Sequence, residues 1–387
     1  AVWRVRAVAY GLLIGFVTLA GRGVYLQVVQ HDDLTKRGDA RTTRDLVLPA
    51  HRGRLLDREG AVLASSIPAR GVFAFPDQVE LTTQQREGLA KALNLRAKDL
   101  DRKLDTERDL VYLARGIAPE QGQMISALKI PGVAVQNEFK REYPAQEVMG
   151  QVLGITYVDD VGQEGLELVK NEWLSGKPGA RRVTIDRRGG VVEELRSVRA
   201  PQQGRDLQLA LDSRVQHLAF RELKRGVEAH RAKGGAAVVL DAKSGEIIAL
   251  VNYPTSNPGD RSAAATGGLR NRAVADLFEP GSTMKPFTIS TAIETGVLKP
   301  DAMIPMPGST YTLNGATIRD THTIGSNGVA SVTEILQKSS NVGTARIAER
   351  LPNEVMWRQL QRAGFGRAPQ TGVPGEAHGR LRSPQSW

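Results

Sequence analysis

The stretch Phe278-Glu279-Pro280-Gly281-Ser282-Thr283-Met284-Lys285-Pro286 decides the reading of this chain. Pro280-Gly281 breaks the preceding element, and Phe287–Thr295 continues in a helical pattern. Ser282 therefore falls at the start of a helix, with Lys285 one turn on. Side chains at i and i+3 share a helix face and can meet. A serine hydroxyl attacks poorly unless a base takes its proton. A lysine amine can be that base once desolvation or neighbouring positive charge lowers its pKa. The helix amino terminus adds N–H groups and the positive end of a dipole, which suit a developing oxyanion. The plainer alternative is a helix cap beside a solvated lysine. S-x-x-K alone does not decide: Ser126-Ala127-Leu128-Lys129 has the same spacing but lies inside a predicted helix, as a surface coincidence.

A second element shifts the balance. Ser331-Val332-Thr333-Glu334 is spaced as a capping box that opens a helix to about Lys338. Ser339-Ser340-Asn341-Val342-Gly343 follows as a small polar break, and another helix runs to Leu351. Ser339 is placed to shuttle a proton between Lys285 and a leaving amine, and Asn341 to hydrogen-bond a peptide. A plain interhelical turn would favour the same residue types.

The amino end reads as a membrane element. Ala7–Ala20 is uncharged and mostly apolar, and apolar character resumes after Gly21-Arg22-Gly23 up to Val29. Ala7–Val29 as one helix would span roughly 34 Å against a bilayer core of ~30 Å. Arg4 and Arg6 precede it, so the positive-inside rule keeps the amino end in the cytoplasm and exports the rest. A cleaved signal peptide, with Thr18 and Ala20 as small-residue cleavage positions, and a buried core helix are the alternatives. Nothing else in the chain reads as a membrane span.

Composition bounds the rest. The 387 residues are 41% hydrophobic and 24% charged, which is globular and long enough for two domains. Six histidines show no ligand spacing, and the absence of cysteine excludes disulfides, thiolate catalysis and Cys-based metal sites. Net charge is +10. No helix-turn-helix, RNP or zinc pattern supports a nucleic-acid partner, so a basic surface beside anionic headgroups and wall polymer is the better fit. Residues 30–45 are polar and charged, and read as a stalk or a connecting helix. Asp45–Pro49 reads as a strand, and Leu55–Leu63 as strand, turn and strand around Gly60. Thr82–Asn94 is a helix with Thr82 and Gln85 as capping box, and Pro119–Lys129 a second helix. The stretch 139–200 mixes short strands with Gly-rich turns. A linker at Pro201-Gln202-Gln203-Gly204 precedes a strand at Leu207–Leu211, a helix over Ser213–His230, and a hairpin from Ala236–Leu240 and Ile247–Val251.

Taken in order, Arg52-Gly53-Arg54-Leu55-Leu56-Asp57-Arg58-Glu59-Gly60, Gly281-Ser282-Thr283-Met284-Lys285 and Lys338-Ser339-Ser340-Asn341 behind a membrane anchor resemble a class B penicillin-binding protein. Ala50–Gly53, Glu138–Ala145, Glu164–Glu167 and Phe278–Ser282 look like the septal peptidoglycan D,D-transpeptidases of Gram-negative bacteria. The resemblance runs from the anchor to about Gly375. It implies an α+β chain: cytoplasmic tail 1–6, single transmembrane anchor 7–29, an irregular α+β pedestal at 30–205, and a serine-β-lactamase-like transpeptidase domain at 206–387. It implies Ser282 as nucleophile on the D-Ala–D-Ala carbonyl of a stem peptide, Lys285 as the acylation base, and Ser339 and Asn341 in the roles given above. It further implies trapping of Ser282 by β-lactams, and a pedestal docking an FtsW-like lipid II polymerase and other division proteins. The location would be the inner membrane with the bulk periplasmic, and no metal or cofactor is called for.

The family's third motif, K-[ST]-G after S-x-N, is not found between Asn341 and Trp387. Lys243-Ser244-Gly245 spells it, but precedes Ser282 and reads as a hairpin turn. The transpeptidase domain is therefore expected to be incomplete, an open sheet edge included, and the sequence to be part of a longer enzyme. Rival readings are a serine β-lactamase or carboxypeptidase, an elongation-type transpeptidase, and a non-catalytic division scaffold.

Overall fold

The computed structural model describes residues 2–30, 43–185, 191–260 and 270–387. It is a mixed α+β chain with two compact units. At the amino end, an α-helix over Val2–Val24 passes into a π-helical turn at Tyr25–Val29. This 28-residue rod has a mean hydropathy of 1.7 over its most apolar window, none of which is buried. It is the one helix among the described residues that is long and apolar enough to cross a membrane. It begins at Val2, ahead of Ala7, so Arg4 and Arg6 lie on the helix. The polar stretch read as a stalk lies mostly outside the described residues.

The first unit takes residues 1–146, 155–163 and 170–212. Strand β1 (Thr43–Leu48) later pairs with β6 (Gly179–Ile185), which pairs with β7 (Val191–Arg199). The larger sheet is built on β3 (Val62–Ala74), which takes β2 (Leu55–Leu56) at one end and both β4 (Val111–Ile117) and β5 (Val133–Glu142) along its length. The β2–β3 turn uses Gly60 at φ +85°, with Asp57 Oδ1 accepting the N–H groups of Glu59 and Ala61. The helices Thr83–Ala92, Ala97–Leu104 and Pro119–Ala127 close over Val72, Ala74, Leu89, Leu100, Leu113 and Ile125. The Thr82–Gln85 capping box is present in both directions. Ser126 and Lys129 sit exposed at the end of the third of these helices, far in sequence from any candidate chemistry. Strand β8 (Leu207–Gln208) runs parallel to β2. The apolar run at 207–211, read above as opening the second domain, thus belongs to the first unit. Alternating residues announce a strand, but not which sheet it joins.

The second unit takes 147–154, 164–169 and 213–387. Helix Ser213–Ala229 lies against the hairpin of β9 (Gly235–Leu240) and β10 (Ile247–Tyr253). Gln216, fully buried, donates to Leu250 O and accepts from Leu250 N, each at 2.8 Å, copying a neighbouring strand. Lys243-Ser244-Gly245 is the β9–β10 turn: Asp241 Oδ1 accepts the N–H groups of Lys243 and Ser244, and Gly245 takes φ +77°. Beyond it, helix Lys285–Glu294 packs against helices Asn341–Ala348 and Asn353–Arg362. The core there gathers Ile289, Ala292, Ile304, Ile335, Val342 and Ile347. Two small ribbons flank it: β11 (Met303–Pro305) with β14 (Val329–Ser331), and β12 (Thr310–Leu313) with β13 (Ala316–Arg319). The latter turns on Asn314-Gly315, both at positive φ, the signature of a tight type I′ hairpin. Sequence reading passed over this ribbon although its Asn-Gly signal was in plain view.

Candidate active site

The segment before Lys285 has the local geometry its sequence asks for. Gly281 adopts φ +57°, a left-handed conformation in which no neighbour would obstruct a Cβ, so the need for glycine there is conformational. Gly281–Met284 forms a 3₁₀ turn, with Thr283 Oγ1 donating to Pro280 O at 2.6 Å. The α-helix then begins at Lys285, with Pro286 in its first turn, where no intrahelical N–H is lost. Ser282 is exposed on that tight turn, and Lys285 is only 8% exposed at the head of the helix.

Lys285 reaches across to the break between two helices. Its Nζ donates to Ser339 Oγ at 2.9 Å and to the Ser339 carbonyl at 2.5 Å. Burial pushes the Lys285 ammonium below its ordinary pKa, and the charge of Asp320 opposes that shift. A neutral amine has two N–H donors and one lone pair. In that form both donors go to Ser339 and the lone pair is free to accept a proton, whereas the ammonium form makes the same two bonds without one.

The Ser339 turn is shaped by its neighbours. Helix Val332–Gln337 starts on Ser331, whose hydroxyl accepts from Glu334 N, and ends just before the turn. Ser339 takes φ +53°, an uncommon conformation for a non-glycine residue. Ser340, 1% exposed, caps the next helix by accepting from Gly343 N at 2.8 Å. The two helices press together at Gly343, where a Cβ would lie 2.6 Å from an Ile335 side-chain carbon. Asn341 is exposed, and its Nδ2 donates to Arg319 O at 2.9 Å.

Of the four residues singled out in sequence, Lys285 and Ser339 are bonded directly. Asn341 stands two positions past Ser339, and Ser282 sits on the turn leading into Lys285. Sequence reading missed Asp320, at the end of β13. Its Oδ2 accepts from the Ser340 hydroxyl at 2.6 Å, and its Oδ1 from Asn341 N at 2.5 Å and Val342 N at 3.2 Å. It also missed Ser340 as the capping residue, although Ser immediately before a helical run is a cap signal. Among the described residues no cluster of His, Asp and Glu has a metal-binding arrangement.

Comparison with known proteins matches both units. Residues 235–387 fit the penicillin-binding protein transpeptidase domain, and residues 47–209 the penicillin-binding protein dimerisation domain. The chain is 39% identical to the probable peptidoglycan D,D-transpeptidase PenA of Neisseria gonorrhoeae, over 99% of this chain and 66% of that protein. It is 35% identical to peptidoglycan D,D-transpeptidase FtsI of Escherichia coli K12, over 100% of this chain and 66% of that protein. With FtsI of Buchnera aphidicola it shares 32% over 98% and 67%. The chain therefore spans about two thirds of the length of these relatives. Among solved structures, a peptidoglycan synthetase from Bifidobacterium adolescentis superposes with a TM-score of 0.64 at 28% identity, covering 89% of this chain and 67% of that one. A penicillin-binding protein complexed with MreC from Helicobacter pylori shares the fold, with a TM-score of 0.69 at 22% identity over 88% and 69%. With the S-x-x-K lysine bonded to the S-x-N serine, and with relatives matched across its whole length, the chain belongs to the penicillin-binding protein family of peptidoglycan D,D-transpeptidases.

Proposed function

We propose that the protein containing this chain cross-links peptidoglycan through an acyl-enzyme on Ser282. The observation that carries the proposal is the buried Lys285 amine held by Ser339, one turn past Ser282. In acylation, Ser282 Oγ attacks the carbonyl of the D-Ala–D-Ala bond while its proton passes to Lys285 Nζ. The C–N bond then breaks, and D-Ala leaves with a proton relayed by Ser339. In the second half, an amine of a neighbouring stem peptide attacks the ester, Ser282 recovers its proton and the cross-link forms. The N–H groups of the turn at Ser282 stabilise the oxyanion, and Asn341 orients the donor peptide. β-Lactams acylate the same oxygen.

The same reading takes residues 7–29 as a membrane anchor, with Arg4 and Arg6 cytoplasmic and the bulk periplasmic. The first unit, which corresponds to most of residues 30–205 and extends to 212, serves as a pedestal for an FtsW-like polymerase and other division proteins, and the second unit, chiefly residues 213–387, belongs to the transpeptidase domain. It places the enzyme at the septum.

Labelling by a fluorescent penicillin tests the chemistry. The full-length protein should label, and Ser282→Ala should not; label surviving that substitution would dismiss Ser282 as nucleophile. Residues 1–387 expressed alone should label far more slowly, because no K-[ST]-G follows Asn341 in their sequence and one oxyanion donor is worth ~10²–10³ in rate. Depletion tests the cellular role: filaments indicate septation, rounded cells elongation.

A further inference from the structure

The ribbon of β12 and β13 touches the Ser339 turn more intimately than a neighbouring loop would need to. Asp320 N donates to Ser309 O at 2.9 Å and closes the ribbon's base. From that base, Asp320 accepts hydrogen bonds from Ser340 Oγ, Asn341 N and Val342 N, and the adjacent Arg319 carbonyl accepts one from Asn341 Nδ2. Four bonds thus reach the three residues that follow Ser339. A carboxylate at a helix amino terminus is favourable, and Ser339 at φ +53° needs its flanks held if its side chain is to stay on Lys285.

Among the described residues the ribbon's four-residue strands pair only with each other, and isolated two-stranded hairpins are marginal in water. Its second anchor lies two rungs from the base. The Tyr311 hydroxyl accepts from Arg346 Nη1 at 3.1 Å and donates to Glu349 at 2.8 Å, and the Arg346 guanidinium lies 5.1 Å from the Tyr311 ring centre. Arg346 and Glu349 belong to the helix, and its C-terminal end, that begins at Asn341. The ribbon is therefore fastened to one helix at two heights.

We propose that Asp320 is a positioning residue that fixes Ser339 and Asn341 beside Lys285, and that Tyr311, latched to Arg346 and Glu349, holds the ribbon that delivers it. This inference rests on the Ser282 acylation reading given above. Asp320 touches no reacting atom; it acts through the turn.

Stopped-flow acylation of the full-length protein by a chromogenic cephalosporin separates the pre-acylation dissociation constant from the acylation rate constant. Asp320→Ala should lower the rate constant about 100-fold with little change in the dissociation constant, since misplacement of about 1 Å costs that order. Asp320→Asn keeps an oxygen for the Asn341 and Val342 N–H groups and should recover most of the loss. Tyr311→Phe keeps the ring and should cost a few-fold. Amide exchange of the peptide covering Ser339–Val342 should accelerate in the order wild type, Tyr311→Phe, Asp320→Ala. An unchanged acylation constant in the folded fraction, with only a lower melting temperature, would overturn the proposal. So would unchanged exchange at Asn341 and Val342. Absence of labelling in the wild-type protein would instead dismiss the acylation reading, and the exchange order would still decide whether the ribbon holds the turn.

Discussion

Ser340→Ala isolates the structural cost of the turn, because the hydroxyl does two jobs and the side chain is 1% exposed. As a cap it accepts the Gly343 N–H at 2.8 Å; exchanging serine for alanine at an N-cap costs about 1 kcal/mol, with a range of ~0.5–2. As a donor it bonds Asp320 Oδ2 at 2.6 Å; a hydrogen bond to a charged partner is worth ~1.5–3 kcal/mol net. Asp320 is half-buried and keeps two backbone N–H partners, so water and those donors recover part of the second sum. The expected loss is about 2–3 kcal/mol. For a unit of this size each kcal/mol moves the melting temperature by ~2–4 °C, so thermal unfolding should shift down by roughly 4–12 °C. The exposed Ser126→Ala serves as control and should fall within about ±0.5 kcal/mol. Differential scanning calorimetry on the two variants gives both numbers. A Ser340→Ala melting temperature equal to that of the control would refute the reasoning, because it would show that neither bond contributes net stability to this turn.

Three further outcomes follow from single contacts. Burial lowers the Lys285 pKa, so its neutral form, and with it the acylation rate, should increase as pH rises, with a midpoint below the ordinary lysine value of about 10.4; Lys285→Arg, which stays charged, should lose about 10²–10⁴ in rate at every accessible pH, and a flat pH profile with an active Arg variant would refute the base assignment. Gly343→Ala gains about 1 kcal/mol of helix propensity, but sets a Cβ within 3 Å of three atoms of the fully buried Ile335, an overpacking cost of ~1–3 kcal/mol; chemical denaturation should therefore show net destabilisation, and a stabilised variant would mean that Ile335 moves aside freely. Gln216→Glu replaces an amide that donates to Leu250 O and Val148 O with a carboxylate facing both acceptors; denaturation should show a loss that deepens as pH rises through the carboxyl pKa, because only the protonated form can donate, and a pH-independent loss would contradict that account.

What was legible in the chain follows the range of the interaction concerned. The Thr82–Gln85 box, the Gly60 and Gly245 turns and the helix entry at Pro280-Gly281 depend on residues within four positions of one another, and each forms as its letters suggest. The Asn314-Gly315 hairpin was equally local and was simply overlooked. The strand at Leu207–Gln208 was legible as a strand, but its partner, β2, lies about 150 residues earlier, and no local pattern encodes that choice. The same distinction divides the site. Ser282 and Lys285 lie three residues apart, Ser282 on the 3₁₀ turn and Lys285 at the head of the helix, so their relation is local in the chain. Ser339 meets Lys285 only because two helices lock at Gly343 and Ile335, and Asp320 reaches the turn from a separate ribbon. An aspartate after a short strand has no distinguishing pattern; its meaning arises when three donors converge on it. Ser339 and Asn341 were singled out in sequence by residue type, whereas the ribbon's carboxylate bonds Ser340 Oγ, Asn341 N and Val342 N beside them. The first is a property of residue types, whereas the second is a property of a contact between segments 20 residues apart.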